Sequence, residues 1–453
     1  MNPESLIKSF ENKAELVEYY ESILNKEVIS QNNNELKTFI KSRGESYSAR
    51  MLVNGAWGYA ATNNKKDLIK IFNTCHKLAS NASVIKKNRT KMKELEINHD
   101  NIVSKIKTNP FEISDEDKIN FLKNFNKSFQ SKELKNAETF IAFSNAQKKY
   151  TNSLGADVSQ NDTYSRLMSI IIGGKDLTQA HMTLSAKKGY ELIQKLDCQS
   201  EAGKLEEKLK RIINAGNVKP GIYNLVIDSI LGGTFFHEAL GHALEADAYK
   251  EKSTCVSMNE QISNEGLTVY DDPTIPYSWG SYSYDDEGIK SKPSLLVDKG
   301  KVINFINDTA SYFDVPGLKK TANARFDSPC NLPIPRMSNT VVKSGNYSEE
   351  ELFQKIKNGL FVKGFYGGAV EPLTGIFSFK AEEAVIIENG KLTKSLKGVN
   401  LSGDLKKLLK NLKGVGKEAK SEWHGGMCGK KGQSVPVSEK VPPVLVEGVS
   451  VGN

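Results

Sequence analysis

The stretch LGGTFFHEALGHALEAD spans Leu231–Asp247 and contains two histidines and three acidic residues. Its Ala, Leu and Glu residues favour a helix. The pattern His-Glu-x-x-x-His separates His237 from His242 by five residues. Because each helical residue turns the chain by about 100°, five steps leave the two histidines roughly 140° apart around a regular helix. We expect a π-bulge, which widens one turn by a residue, to bring them toward one face, with Gly241 supplying backbone freedom.

Two imidazoles beside a carboxylate are the side chains that a zinc hydrolase needs. Neutral imidazole nitrogens hold the ion, and the carboxylate of Glu238 is available to take a proton from water. The pattern therefore predicts a metal site. The alternative is an ordinary amphipathic helix, in which His237 is a core histidine and His242 a surface histidine.

A catalytic zinc site commonly has three protein ligands, so two histidines require a third residue from elsewhere. The candidates are Cys428, Cys330, Cys255, His424, Glu245 and Asp247. Cys428 stands out because it lies in the segment 425–432, where small residues let the backbone approach a site closely. The alternative for Cys428 is a buried structural thiol.

The amino-acid composition changes near residues 216–221 and divides the chain into two parts. Gly and Pro between residues 216 and 221 mark a linker, and after Gly266 short β-like runs alternate with Gly, Pro, Asn and Asp. We therefore predict an N-terminal α/β domain over residues 1–215 and a β-rich domain over residues 216–453. The second domain is expected to be mainly antiparallel and to carry the His-Glu-x-x-x-His helix, so the class is α+β.

Within the first domain, apolar spacing predicts a mostly helical segment from Pro3 to about Lys41 and a helical region over residues 65–150. Between them, two strand-like runs flank Asn54-Gly55, which predicts a β-hairpin near residues 47–60. Strands are expected again over residues 151–183, followed by helical spacing to Ile213.

Composition excludes several classes of protein. The 453 residues are 38% hydrophobic and 26% charged, which disfavours disordered and collagen-like chains. The formal charge of 62 − 54 = +8 is spread along the chain and not clustered, so we expect no nucleic-acid partner. Five scattered cysteines, no N-terminal apolar region and no long apolar run predict a cytoplasmic protein without a membrane span.

Several blocks of sequence, in order along the chain, resemble the TldD/PmbA family of metalloproteases. They are residues 55–63, 152–155, 220–223, 237–247, 269–273, 286–288, 335–340 and 428–430. The resemblance implies that His237, His242 and Cys428 are the zinc ligands. It also implies that Glu238 is the general base that acts on a metal-activated water during peptide hydrolysis.

The same resemblance implies a dimer that encloses the active site. Some family members pair with themselves, and others pair with a relative that lacks the histidine motif. Because this chain keeps the motif, it resembles the catalytic, TldD-type subunit. The competing interpretation is a non-catalytic peptide-binding or scaffolding subunit with a structural metal.

Three further residues are candidates for substrate binding. Arg336 is expected either to meet a substrate carboxylate or to fix a loop through an ion pair. Gly367 and Gly368 are expected either to line the cleft or to form a tight turn. An extended peptide is expected to add to an edge of the β-rich domain, since main-chain hydrogen bonds give affinity with little sequence preference.

Overall fold

A computed structural model describes residues 2–421 and 423–453 and shows an α+β fold, as predicted, in which most strands pair antiparallel. The first sheet has seven strands in the order β3-β2-β1-β5-β6-β4, with β7 also paired to β6. Its strands are β1 (Leu16–Asn32), β2 (Glu35–Val53), β3 (Ala56–Thr62), β4 (His99–Val103), β5 (Leu134–Asn152), β6 (Asp157–Gly173) and β7 (Thr178–Ala186).

Helices cover both ends of this sheet. They are α1 (Pro3–Phe10), α2 (Leu68–Ile85), α3 (Asp115–Lys127), α4 (Glu191–Gln194) and α5 (Cys198–Ile213), with 3₁₀ turns at Glu11–Lys13, Lys65–Asp67 and Pro110–Glu112. One apolar core joins α1 and α2 to β1 and β2, and further cores join α3, α4 and α5 to the strands β5, β6 and β7.

The predicted hairpin is confirmed. Strands β2 and β3 pair from Tyr47 to Thr62 around Asn54 and Gly55, whose φ angles are 47° and 74°. Positive φ at both central residues is what a type I′ hairpin turn requires, and Asn and Gly adopt it readily.

The prediction of a mostly helical segment from Pro3 to Lys41 is wrong after Phe10. Residues Leu16–Tyr20 are buried on both faces of β1, because α1 and α2 pack on one side and the second half of the chain on the other. Two-sided burial removes the alternation of apolar and polar residues that marks a half-buried strand, so the sequence imitates helical spacing.

The prediction of a helical region over residues 65–150 is right for α2 and α3 and wrong for β4 and β5. In β5, Ala137, Thr139, Ile141 and Phe143 are buried at every second position. Apolar residues do alternate with polar ones in this part of the sequence. The prediction missed the alternation because the surrounding residues are rich in Lys, Asn and Glu.

The second half of the chain forms the remaining sheets, as the short β-like runs predicted. A nine-stranded sheet has the order β16-β17-β20-β24-β8-β15-β18-β19, with β21 also paired to β24. Its strands are β8 (Gly221–Ile227), β15 (Gly359–Lys363), β16 (Gly367–Glu371), β17 (Ile376–Lys380), β18 (Glu383–Glu388), β19 (Lys391–Lys397), β20 (Asn400–Asp404), β21 (Leu412–Val415) and β24 (Val444–Gly452).

A six-stranded sheet, β11-β10-β9-β14-β23-β22, and the pair β12-β13 complete the fold. Their strands are β9 (Val269–Asp271), β10 (Ser294–Asp298), β11 (Lys301–Val302), β12 (Ala324–Arg325), β13 (Ile334–Pro335), β14 (Asn339–Val342), β22 (Gly426–Lys430) and β23 (Gln433–Lys440). The helices of this half are α6 (Ser229–Phe235), α7 (Ala246–Lys250), α8 (Thr309–Asp314), α9 (Glu349–Ile356) and α10 (Leu405–Lys410).

The two halves meet through a buried ion-pair network. Arg50 of β2 donates to Glu18 of β1 at 2.5 Å and to Glu287 of the second half at 2.6 Å, and all three side chains are buried. The domain boundary at residue 215 stays a prediction. Among the described residues, no helix combines the length and apolar character that crossing a membrane requires.

Candidate metal centre

The helix that carries the two histidines begins directly after the central strand β8. The carboxylate of Asp228 caps α6 by accepting the Leu231 N–H at 2.8 Å. After Phe235, residues Phe236–Gly241 form a π-helical turn, and His242–Leu244 form a 3₁₀ turn. The wider turn is the distortion expected from the five-residue spacing. It leaves the rings of His237 and His242 5.3 Å apart between centroids.

Gly241 has a different role from the one expected. Its φ of −58° and ψ of −52° are ordinary helical values, so the turn does not use glycine's conformational freedom. Instead, a Cβ at this position would overlap Sδ of the buried Met337. Gly241 therefore allows the motif to pack closely against the segment that contains Met337 and Arg336.

Cys428 reaches the histidines from the opposite end of the second half. It lies in β22, which pairs with β23 so that Cys428 faces Val435. Its Sγ is 3.3 Å from Nε2 of His242, and one ligand atom each of His237, His242 and Cys428 lies within 4.8 Å of the other two. Three side chains that metals favour thus converge, although Cys428 follows His242 by 186 residues.

The surroundings of His237 suit a metal ligand. Both ring nitrogens of His237 are buried, and no described residue forms a hydrogen bond with either of them. Buried polar atoms rarely lack a partner, so this imidazole needs one. Two imidazoles and a thiolate are a donor set that tetrahedral zinc accepts with one position left open, and the residues therefore fit zinc.

Glu245 orients His242. The Oε2 atom of Glu245 lies 3.0 Å from Nδ1 of His242 and 2.9 Å from Nζ of Lys430. A carboxylate on Nδ1 keeps the proton there and leaves Nε2 available on the side of Cys428. Burial alone would raise the pKa of Glu245, but the contacts with Nδ1–H of His242 and with the ammonium group of Lys430 hold it at about 2.

The thiol of Cys428 is disposed to ionise. Burial would raise its pKa, but the imidazoles of His237 and His242 beside it lower the pKa to about 4. The thiolate is the form in which cysteine binds metals.

Glu238 is the accessible carboxylate of the motif. Its side chain is 35% exposed, whereas that of His237 is 3% exposed. One of its oxygens lies 3.9 Å from Nε2 of His242, on the side of the imidazole that faces Cys428. Glu238 is thus reachable from solvent and close to the proposed ligand atoms.

The other candidates for a third ligand have different surroundings. Asp247 pairs with Lys430 and Lys431, at 2.7 and 3.2 Å. Cys330 is exposed, and Cys255 is half-buried elsewhere. Among the described residues, the three converging His, Cys or carboxylate side chains are His237, His242 and Cys428.

Arg336 does not fit the predicted substrate-binding role. Its side chain is fully buried, and its guanidinium donates to the backbone carbonyl oxygens of Cys428 and, at 3.4 Å, of Gln433. The arginine fixes the hairpin of β22 and β23 that carries Cys428. It does so through carbonyl oxygens, and not through the ion pair considered as the alternative.

Gly367 and Gly368 begin the edge strand β16. This strand pairs with β17 on one side, and its other side has no partner strand in the described part of the chain. Gly368 is exposed, and β16 lies beside the π-helical turn. Their place beside the motif keeps both as candidates for substrate contact.

Sequence reasoning missed two charged residues of the site. Lys430 pairs with Glu245, and Glu439 of β23 lies 3.8 Å from Nδ1 of His237. Lys430 was signalled only by its place two residues after Cys428, within the block 428–430. No sequence signal marks Glu439, because nothing in its local pattern separates it from an ordinary strand residue.

Comparison with known proteins identifies the family. Residues 220–453 match the family model for the PmbA/TldA metallopeptidase C-terminal domain. A metalloprotease of Methanothermobacter thermautotrophicus is 36% identical over 307 residues, 67% of this chain and 66% of that protein. A zinc metalloprotease TldD homolog of Saccharolobus solfataricus is 27% identical over 418 residues, 90% of each chain.

A solved structure shares the fold. The crystal structure of TldE from Thermococcus kodakarensis superposes with a TM-score of 0.76, at 19% identity and with 99% of both chains covered. The family model and the relatives agree with the blocks of sequence from which the resemblance was inferred. This chain belongs to the PmbA/TldD family of metallopeptidases.

Proposed function

We propose that this chain is a zinc-dependent protease that hydrolyses peptide bonds of unstructured peptides. The observation that carries the proposal is the convergence of His237, His242 and Cys428 within 4.8 Å, beside the accessible carboxylate of Glu238. The name of the Saccharolobus relative, a zinc metalloprotease, supports the choice of metal.

In this proposal His237, His242 and Cys428 hold the zinc ion. When bound, zinc polarises a peptide carbonyl as a Lewis acid and lowers the pKa of water toward about 7. Glu238 accepts a proton from the attacking water and then delivers it to the leaving amine. Glu245 keeps His242 in the orientation and tautomer that ligation needs, and Arg336 holds the strand that carries Cys428.

We further propose that the substrate binds in an extended conformation along β16. The unpaired edge of this strand offers main-chain N–H and C=O groups beside the π-helical turn. Strand addition recognises the backbone, which suits unstructured peptides of varied sequence. A complex in which the peptide is helical, or lies away from Gly367–Glu371, would contradict this binding mode.

The proposal includes a dimer in the cytoplasm. The similarity of the fold to TldE suggests either a homodimer or a heterodimer with a related subunit that lacks the motif, with this chain as the catalytic subunit. All five cysteines lie in the described part of the chain and form no disulfide, which suits a reducing compartment.

The test is hydrolysis of an unstructured peptide by the isolated chain, with zinc content measured in parallel. We expect Glu238→Gln to retain zinc and to lose activity by about 100-fold or more, because general-base catalysis contributes at least that much. The matched control is Glu138→Gln, which removes the same charge from a surface pair with Lys37 on the first sheet. This control should cleave like the wild type.

One outcome would contradict the proposed role of Glu238, and another would contradict the protease function. Equal cleavage by the wild type and Glu238→Gln would remove Glu238 from the mechanism. Bound zinc without cleavage, alone or with a related subunit added, would favour the non-catalytic peptide-binding or scaffolding subunit with a structural metal.

A further inference from the structure

A cavity of about 320 Å³ adjoins the candidate metal centre, and we call it the Glu439 pocket. Its walls come from a loop around Trp279, a loop around Trp423 and the end of β23. The residues that matter here are Trp279, Trp423, His424, the carboxylate Glu439, and Lys440. Lys440 is exposed, so its ammonium group can lie in solvent, whereas Glu439 is buried. The volume lies at the lower end of the range for small-ligand pockets, about 300 to 1,000 Å³.

Glu439 is a buried carboxylate without a hydrogen-bond donor among the described residues. Its side chain is only 7% exposed. The nearest ring nitrogens are Nδ1 of His237, 3.8 Å from Oε1, and Nδ1 of His424, 3.7 Å from Oε2, and both distances exceed a hydrogen bond. A buried carboxylate that lacks donors is unfavourable, so a ligand that brings N–H groups would be bound well here.

The strand that carries Glu439 is held by close packing. Strand β23 approaches α6 so closely that a Cβ on Gly233 would lie 2.7 Å from Cβ of Glu439. The neighbouring Ser438 is also held, since its hydroxyl lies 2.6 Å from the amide oxygen of Asn339. The backbone that carries Glu439 is therefore held beside α6.

The aromatic walls suit a cation. The indole of Trp423 already has the ammonium group of Lys188 3.9 Å from its ring centroid. Trp279 donates its indole N–H to the carbonyl of Gly426, two residues before Cys428, at 3.0 Å. Indole faces attract ammonium and guanidinium groups, and a carboxylate at the base of the pocket adds an opposite charge.

The pocket is also within reach of the reaction site. Glu439 is next to His237, so one imidazole ring separates its carboxylate from the cluster of proposed ligand atoms. We propose that the Glu439 pocket binds a positively charged group of the peptide substrate, either a lysine or arginine side chain or the free N-terminal amine. This inference rests on the proposed protease function and adds a preference for one class of substrate.

The test compares peptides that differ only in a positive charge. The first set consists of N-acetylated peptides in pairs. The two members of a pair carry lysine or its neutral analogue norleucine at the same position, and each position of the peptide is tested in turn. The second set is a single pair that carries norleucine throughout, with a free or an acetylated N-terminus. Binding is followed by tryptophan fluorescence, since two of the three tryptophans line the pocket, and cleavage is followed as the ratio of kcat/KM values.

We expect the wild type to prefer one cationic peptide over its neutral partner by about tenfold or more, and Glu439→Gln to abolish that preference. Glu439→Gln should therefore lower kcat/KM for the cationic peptide by more than for its neutral partner, and Glu138→Gln should keep the wild-type ratio. A preference within the lysine pair assigns the pocket to a side chain, and a preference within the other pair assigns it to the N-terminus.

Several outcomes would overturn the proposal. It fails if the wild type shows no preference for a cation, or if Glu439→Gln keeps that preference. It also fails if Glu439→Gln loses zinc and weakens cleavage of all peptides equally, because Glu439 would then only position His237. Preferential binding of cationic peptides with no cleavage of any peptide would instead support the pocket and contradict the protease function.

Discussion

The contact between Glu245 and His242 leads to a quantitative prediction for metal affinity. Glu245→Gln keeps the shape of the side chain but replaces a charge-assisted hydrogen bond to Nδ1 of His242, 3.0 Å long, with a neutral one. Such bonds contribute about 1.5–3 kcal/mol and neutral ones about 1 kcal/mol, so the loss is about 0.5–2 kcal/mol. Zinc Kd should therefore rise about tenfold.

The structure also predicts that this variant folds. Lys430, the second partner of Glu245, keeps its ion pair with Asp247 at 2.7 Å and is not left unpaired. The assay is competition for zinc between the protein and a chelator of known affinity, with circular dichroism to confirm folding.

The matched control for Glu245→Gln is Asp247→Asn. It removes a carboxylate that also contacts Lys430 but is not hydrogen-bonded to either histidine among the described contacts. An unchanged zinc Kd for Glu245→Gln, or an equal rise for Asp247→Asn, would refute the argument that Glu245 acts through His242.

Three further predictions concern stability. Asp228→Asn removes a carboxyl whose pKa burial raises from 3.8 to about 6, and a raised pKa means that the wild type loses stability as the pH rises through that value. Between pH 4 and pH 7 the free energy of unfolding, measured with urea, should therefore shift by about 2 kcal/mol in favour of the variant. Arg50→Met should lower the free energy of unfolding by about 3–5 kcal/mol, because Glu18 and Glu287 remain buried without their shared cation. Arg336→Met should lower it by about 1–3 kcal/mol, measured by thermal denaturation, because the carbonyls of Cys428 and Gln433 lose their hydrogen bonds from a charged donor.

Controls for these variants come from the same chain. Arg43→Met removes an arginine whose side chain is 58% exposed, and its effect should stay below about 1 kcal/mol. Effects of Arg50→Met or Arg336→Met as small as this would contradict the buried contacts. A stability difference between Asp228→Asn and the wild type that does not change with pH would contradict the pKa argument.

The parts of the fold that depend on neighbouring residues were predictable. Asn54-Gly55 specifies a tight hairpin turn because both residues tolerate positive φ. The five-residue spacing of His237 and His242 required a widened helical turn, and Phe236–Gly241 form one. Both conclusions need only the backbone geometry of a few consecutive residues.

The first sheet was less predictable, since strands are stabilised by distant partners. Strand β1 pairs with β2 on one side and with β5 on the other, and β5 lies more than 100 residues further along the chain. Burial on both faces then removed the alternation by which Leu16–Asn32 would have been recognised as a strand.

The candidate site also combines features that follow from local sequence with contacts that depend on the tertiary structure. By itself the sequence determined the β-rich second half, the hairpin turn and the two histidines with Glu238 between them, because each follows from local spacing or composition. Cys428 was already the foremost candidate for the third ligand, and the tertiary structure shows its contact with His242. Only the tertiary structure decided that Arg336 is buried beneath the Cys428 strand and that Glu439 lies beside His237. These contacts join residues about 90 to 200 positions apart, and no local pattern encodes the packing of sheets and helices that brings them together.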